Sequence, residues 1–147
     1  MDRRKPGSKH SLITDANGIP LAAVLSGANR FDGILLPALV NAIAPVRGRR
    51  GHPRRRPEAV QGDAGYCGKP NARWLQAHGI RPLIPLRRKL HGSGLGATRW
   101  VVERTLSWLH QFRRLRVRYE RRADIHQAFM LLACTLICWR HVERSLC

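Results

Sequence analysis

The stretch Arg99-Trp100-Val101-Val102-Glu103-Arg104-Thr105-Leu106-Ser107-Trp108-Leu109-His110 constrains this chain more than any other. At about 100° per residue, Val101, Val102, Thr105, Trp108, Leu109, Phe112 and Leu115 share one side, the pattern of an amphipathic helix over residues 98–115. Arg99, Glu103, Ser107, His110 and Arg114 share the other. A single carboxylate among arginines and a histidine has two readings. One is a solvated face with an i,i+4 Arg–Glu pair; the other is the acid of a site. Spacing alone does not choose between them.

Charge narrows the partner class. Twenty-seven Lys+Arg against nine Asp+Glu give a formal net charge of +18. Such a balance calls for a polyanion, because Lys and Arg that neutralise phosphates gain from counterion release. The basic residues are almost all Arg, whose fork suits phosphate better than an ammonium does. Excess positive charge is a weak route to solubility, so nucleic acid is the expected partner. The length of 147 residues fits one domain with a real core.

Cys67, Cys134, Cys138 and Cys147 contain no C-x-x-C pair, so neither a zinc site nor a disulfide framework is expected. They read as reduced thiols of a cytoplasmic protein. The basic N-terminus lacks the apolar run of a signal peptide. The apolar segment 128–139 reads as too short to span a bilayer and hence as a buried helix, so no membrane partner is expected.

Along the chain, residues 11–25 read as a β-hairpin, with Asn17-Gly18 at its turn and a second strand apolar on both faces. A helix is expected from about Phe31 to Ile43, with Asp32 as cap and Pro37 as a flaw in its middle. Residues 46–57 form an arginine-rich loop containing Arg54, Arg55 and Arg56, either a phosphate-gripping arm or a solvated linker. Residues 58–66 read as a weak strand ending in Asp63-Ala64-Gly65-Tyr66. An acid at the C-terminal end of a strand is where α/β sheets place chemistry, though an Asp that merely opens a turn looks the same. A short helix over 71–77 is closed by Gly79, followed by an edge strand over 80–85 and a glycine-rich loop that is no P-loop. Thr98 is the expected cap of the Glu103 helix, and Asp124 that of a buried helix over 125–144.

Three of these strings resemble motifs of DDE-type insertion-sequence transposases. Residues 6–21 (Pro6 to Leu21) are similar to the early strands of that family. Asp63-Ala64-Gly65-Tyr66 resembles its second-aspartate motif, and Arg99-Trp100-Val101-Val102-Glu103-Arg104 with His110 resembles its glutamate motif. The resemblance runs over about residues 2–141 and implies an α/β, RNase H-like domain. It also implies three carboxylates holding two Mg²⁺ ions, roughly 4 Å apart, that clamp the attacking and leaving oxygens of a phosphoryl displacement. Asp63 and Glu103 would be the second and third of those acids and metal ligands. Arg99 and His110 would meet DNA phosphate near the scissile bond, and Arg104 and Arg114 would extend the DNA-binding surface.

The chain departs from the pattern in three places. Ala64 stands where the family has a basic residue, and Cys67 where it commonly has an acid. The family's first carboxylate lies on a central strand upstream of the matching segment. The fold expected here is therefore RNase H-like but N-terminally truncated, with the first, central strand missing. Its hairpin and Asp63 strand would lack their shared neighbour, and each unpaired buried backbone group would cost about 1–3 kcal/mol. Implied partners are DNA as transposon ends and target, an upstream transposase segment and a second copy of the chain; the setting implied is the bacterial cytoplasm, at the nucleoid. Two other readings remain open: a basic nucleic-acid-binding module without catalysis, and a structural protein such as a ribosomal component.

Overall fold

The structure, a computed structural model, describes residues 7–47, 51–85 and 96–146, with side chains for all of these except 96–99. Where the sequence suggests one domain, the chain forms two compact units, one of Met1–Asn29 with Trp100–Cys147, the other of Arg30–Arg99. The architecture is mixed α/β.

The first unit starts with an antiparallel hairpin of β1 (Ser8–Thr14) and β2 (Pro20–Gly27), in register from Ser8 opposite Gly27 to Ile13 opposite Ala22. Its turn is organised by Asp15, whose Oδ1 accepts the N–H groups of Asn17 (2.9 Å) and Ile19 (2.8 Å). Gly18 takes φ +88°, and a Cβ there would meet Thr105 Oγ1 at 2.9 Å. Only glycine satisfies both conditions.

That turn docks on α3 (Gly96–His110). Thr105, fully buried, brings its hydroxyl 2.8 Å from the Gly18 carbonyl and 3.1 Å from the Val101 carbonyl. The helix ends at His110, earlier than the apolar stripe suggests. Phe112 is extended, and the chain restarts as α4 (Arg113–Arg116), which still delivers Leu115 to the core. Thr98 lies inside α3 rather than capping it, and its side chain is outside the described residues.

The last helix, α5 (Ala123–Leu146), packs His126, Met130, Ala133, Cys134 and Ile137 inward. Ala23, Leu109, Leu115, Met130, Ala133, Cys134 and Ile137 make one core cluster. Gln127 joins α5 to the hairpin, its Nε2 donating to Ala23 O and its Oε1 accepting the Leu25 N–H, both at 2.8 Å. The side-chain amide thus satisfies two backbone groups of β2 that β1 does not reach. The expectation of a buried helix holds for one face only. Ile125, Leu132, Trp139 and Leu146 are 42, 60, 60 and 81% exposed, because the hairpin and α3 cover a single side. At 24 residues, α5 is also long and apolar enough to cross a membrane by length and composition, unlike the shorter run read from sequence. Asp124 sits in its first turn and pairs with Arg122 instead of capping it.

In the second unit, α1 (Asp32–Asn41) buries Leu35, Leu36, Leu39 and Val40. Pro37 stands inside it and forgoes one bond to the turn before. Asp32 is the first helical residue and Phe31 the cap, so its carboxylate favours the helix through the dipole rather than a capping bond. The arginine-rich segment is pinned by a backbone bridge between Val46 and Arg54, both bonds 2.8 Å. Residues 48–50 of it lie outside the described residues.

β3 (Ala59–Gln61) and β4 (Arg81–Leu83) pair in parallel, Val60 opposite Pro82, with α2 (Lys69–Ala77) between them in sequence. Leu75 and Ile80 are buried at 0 and 1% exposure, and Gly79 (φ +71°) reverses the chain after α2. The described strands therefore form two two-stranded sheets, and no strand common to both is among them. The glycine-rich loop expected at 86–97 lies largely outside the described residues.

Replacing Gln127 by Leu keeps the bulk and orphans the Ala23 carbonyl and the Leu25 N–H. Urea denaturation of Gln127→Leu should show a loss of about 2 kcal/mol in unfolding free energy.

Candidate functional site

Asp63 follows β3 with an extended backbone (φ −79°, ψ 176°), at the strand's C-terminal end. Its Oδ1 accepts the Gly65 N–H at 2.8 Å, and its main-chain carbonyl accepts the Tyr66 N–H at 3.1 Å. These bonds start a 3₁₀ turn over Ala64–Tyr66. The turn-opening role is therefore real, and Oδ2 takes no part in it. Asn71 supports the turn from α2 by donating to Tyr66 O at 2.9 Å.

The turn brings up Asp32, an acid expected from sequence as a helix cap. A methyl group on Gly65 would meet Asp63 Oδ1 at 2.8 Å and Asp32 Oδ2 at 3.4 Å. Two carboxylates from different elements thus approach one glycine. The signal available in sequence was an acid just after β2.

Glu103 lies in the other unit, exposed on α3, in the stripe that the sequence outlines. Arg99 falls in the same helix, with its side chain outside the described residues. Arg104 is committed internally. It donates to Asn17 O at 2.6 Å, and its guanidinium lies between the rings of Trp100 (4.5 Å) and Trp108 (4.8 Å). Arg114, moved off the Glu103 stripe by the break after His110, donates to Glu120 Oε1 at 2.5 Å and lies 5.1 Å from the Phe129 ring. Arg54 pairs with Glu58 at 3.2 Å in an exposed contact of little energetic weight. Arg55 and Arg56 are exposed.

His110 ends a chain of side chains that no local sequence signal announces. His110 Nε2 lies 3.4 Å from His10 Nδ1, and His10 Nε2 lies 3.0 Å from His126 Nε2. His126 Nδ1 lies 3.3 Å from Glu120 Oε2, whose partner oxygen Arg114 holds. His126 is fully buried and the Glu120 side chain is 6% exposed. Burial and then the neighbouring His126 and His110 pull the His10 pKa from 6.5 down to about 4. Burial of Glu120 opposes ionisation, but hydrogen bonds and charge from Arg114, with a bond from His126, outweigh it and hold the carboxyl below its ordinary 4.5.

A cleft of about 460 Å³ opens between α3 and the second half of α5, lined by Trp108, Phe112, Arg140, His141 and Arg144 among others. The sequence places Trp108 on the apolar side of its helix and singles out neither Arg140 nor Arg144; their i,i+4 spacing was the available sign. Cys67, Cys134 and Cys138 are free thiols, and burial with its neighbour Cys138 raises the Cys134 pKa to about 11. Among the described residues, no three His, Cys, Asp or Glu side chains converge as a metal site.

The turn at Asp63 and the α3 stripe around Glu103 are two of the strings that resemble DDE motifs in the sequence. The family described as the transposase DDE domain matches residues 2–138, and this chain belongs to it. A relative from Burkholderia cepacia, named for the transposase of insertion sequence element IS402, is 58% identical over 144 residues. That match covers 98% of this chain and 68% of the relative. No solved structure matches the chain.

The histidine chain makes stability pH-dependent. Between pH 6.5 and about 4, the unfolded chain takes up a proton at His10 that the folded chain refuses, so stability falls as pH drops through that window. The contribution of Glu120 is present above 4.5 and is lost as pH falls through its lower native value. Thermal melting should show the descent beginning below pH 6.5, and His10→Gln should make that upper part shallower.

Proposed function

We propose that this chain works in insertion-sequence transposition as part of a catalytic domain that cuts and joins DNA strands with Mg²⁺. Asp63 and Glu103 are two of its three carboxylates. The observation that carries the reading is the locked Asp63, exposed at the C-terminal end of β3 with one oxygen tied to Gly65 N–H. Membership of the DDE family supports it.

The donor set fits the metal. Asp63 and Glu103 offer hard oxygens, and Mg²⁺ usually takes one or two carboxylates and completes its shell with water and phosphate. When bound, such ions supply Lewis acidity to the phosphorus and stabilise the attacking and leaving oxygens. Asp63 and Glu103 would be metal ligands. Asp15 is bound up in the hairpin turn and Asp32 opens α1; this reading assigns the third carboxylate to another segment, so that residues 1–147 hold DNA without cutting it.

DNA contact then falls to groups not committed inside the fold. Arg140 and Arg144 flank Trp108 in the α3–α5 cleft, where guanidinium groups can take phosphates and the indole an apolar sugar or base edge. Arg55 and Arg56 offer a second set of cations. The setting proposed is cytoplasmic DNA.

Two measurements test this. Incubated with supercoiled plasmid and Mg²⁺, the chain should bind but leave the plasmid unnicked. Nicking abolished by Asp63→Asn would keep the acid's role and overturn the need for an outside carboxylate. In salt titrations of duplex binding, Arg140→Ala and Arg144→Ala should each reduce the log–log slope by about 1. Unchanged slopes would remove the cleft from the DNA surface.

A further inference from the structure

The histidine chain has a defined polarity. Glu120 is an acceptor, so the ring nitrogen facing it, His126 Nδ1, carries a hydrogen. That leaves a single proton to share between His126 Nε2 and His10 Nε2, and a single one between His10 Nδ1 and His110 Nε2. Four arrangements satisfy every contact, one with all rings neutral and three with one more proton, on His110, His10 or His126; two of them define a relay.

In the first, all three rings are neutral. His110 Nε2–H donates to His10 Nδ1, His10 Nε2–H donates to His126 Nε2, and His110 Nδ1 is a bare lone pair. The second holds one more proton. His126 is then an imidazolium between Glu120 and His10, His10 Nδ1–H donates to His110 Nε2, and His110 Nδ1 bears a hydrogen. A proton arriving at His110 Nδ1 interconverts them: the Nε2 proton of His110 moves to His10 Nδ1, and the Nε2 proton of His10 moves to His126 Nε2. Each ring that gains a proton on one nitrogen passes one from the other, and the charge ends beside Glu120.

We propose that His10 and His126 are positioning residues that set which nitrogen of His110 carries a proton. Uptake of one proton by the chain turns the outer nitrogen of His110 from an acceptor into a donor for a DNA phosphate. This rests on the DDE resemblance, by which His110 is expected to meet DNA phosphate. His110 is exposed and can receive both the proton and the phosphate, whereas His126 is fully buried against Glu120.

The groups facing His10 are few. They are His110 from α3, His126 from α5, and beyond it Glu120 with Arg114 from α4. Lys9 precedes it on β1 and points to the opposite face of the strand. β2 brings no ionisable side chain. Glu120 thus stands as a counter-ion beside His126, while the depressed basicity of His10 keeps the middle ring neutral. His10 relays protons without storing one.

The test is long-range ¹⁵N NMR of the imidazoles in the full chain from pH 8 to 5, with and without a 20-base-pair duplex, alongside duplex affinity at fixed salt. In the wild type, lowering the pH should convert His126 to imidazolium and switch His110 from Nε2–H to Nδ1–H without charging it. Duplex affinity should tighten over the same range by about tenfold, the size of one added hydrogen bond. In His10→Gln the two rings should titrate independently, with His110 going straight to imidazolium, and Glu120→Gln should move the switch to lower pH. A wild-type His110 that itself becomes imidazolium while His126 stays neutral overturns the proposal. An intact tautomer switch with no duplex binding at any pH overturns the phosphate contact and the DNA reading, and not the relay.

Discussion

In the first unit, the turn of the β-hairpin rests on α3 through the Thr105 hydroxyl and the Arg104 guanidinium, both spent on carbonyls of Asn17 and Gly18. The Gly18 carbonyl would otherwise be buried without this partner, a cost on the order of 1–3 kcal/mol, while the Asn17 contact lies at the surface. The contact needs a glycine at φ +88° and a helix that presents a small hydroxyl at the point of closest approach. With the turn held, β1 runs so that His10 meets His110 at the far end of α3, and α5 can lay Met130 and Cys134 against Ala23. The candidate glutamate stripe and the histidine chain both inherit their position from this docking.

Cation use divides along the same line. Arg104 and Arg114 look in sequence like surface charges in a DNA-facing row, yet each is held by internal partners. Arg104 lies between two indoles, and the face of Trp108 it covers is one side of a ring that also lines the α3–α5 cleft. Packing one arginine inside thus braces the aromatic that Arg140 and Arg144 flank.

The hairpin, the turn at Asp63 and the apolar stripe of α3 were legible because each is local. Asn17-Gly18, Asp63-x-Gly65 and the spacing of Val101, Thr105, Trp108 and Leu109 carry their geometry in a few residues. Long-range features were not. Nothing near His10, His110 or His126 in sequence says that three rings meet, and nothing near Gln127 says it will complete a strand edge. The end of α3 at His110 was hidden because Phe112 and Leu115 continue the apolar period, although an extended Phe112 restarts the chain. The open face of α5 was missed for a related reason: apolarity all round a helix signals burial only if enough partners exist to cover it. At the site, residue types were readable and commitments were not. Asp63 was recognised, while the approach of Asp32 to Gly65 depends on where α1 begins.

The account depends most on Asp63 and Glu103 both being metal ligands. Iron-directed backbone cleavage measures this directly: Fe²⁺ replaces Mg²⁺, and peroxide with ascorbate cuts the chain near the bound ion. The account predicts fragments ending near residue 63 and near residue 103, appearing at the same Fe²⁺ concentration and suppressed together by excess Mg²⁺. Cutting near only one of the two acids would contradict it.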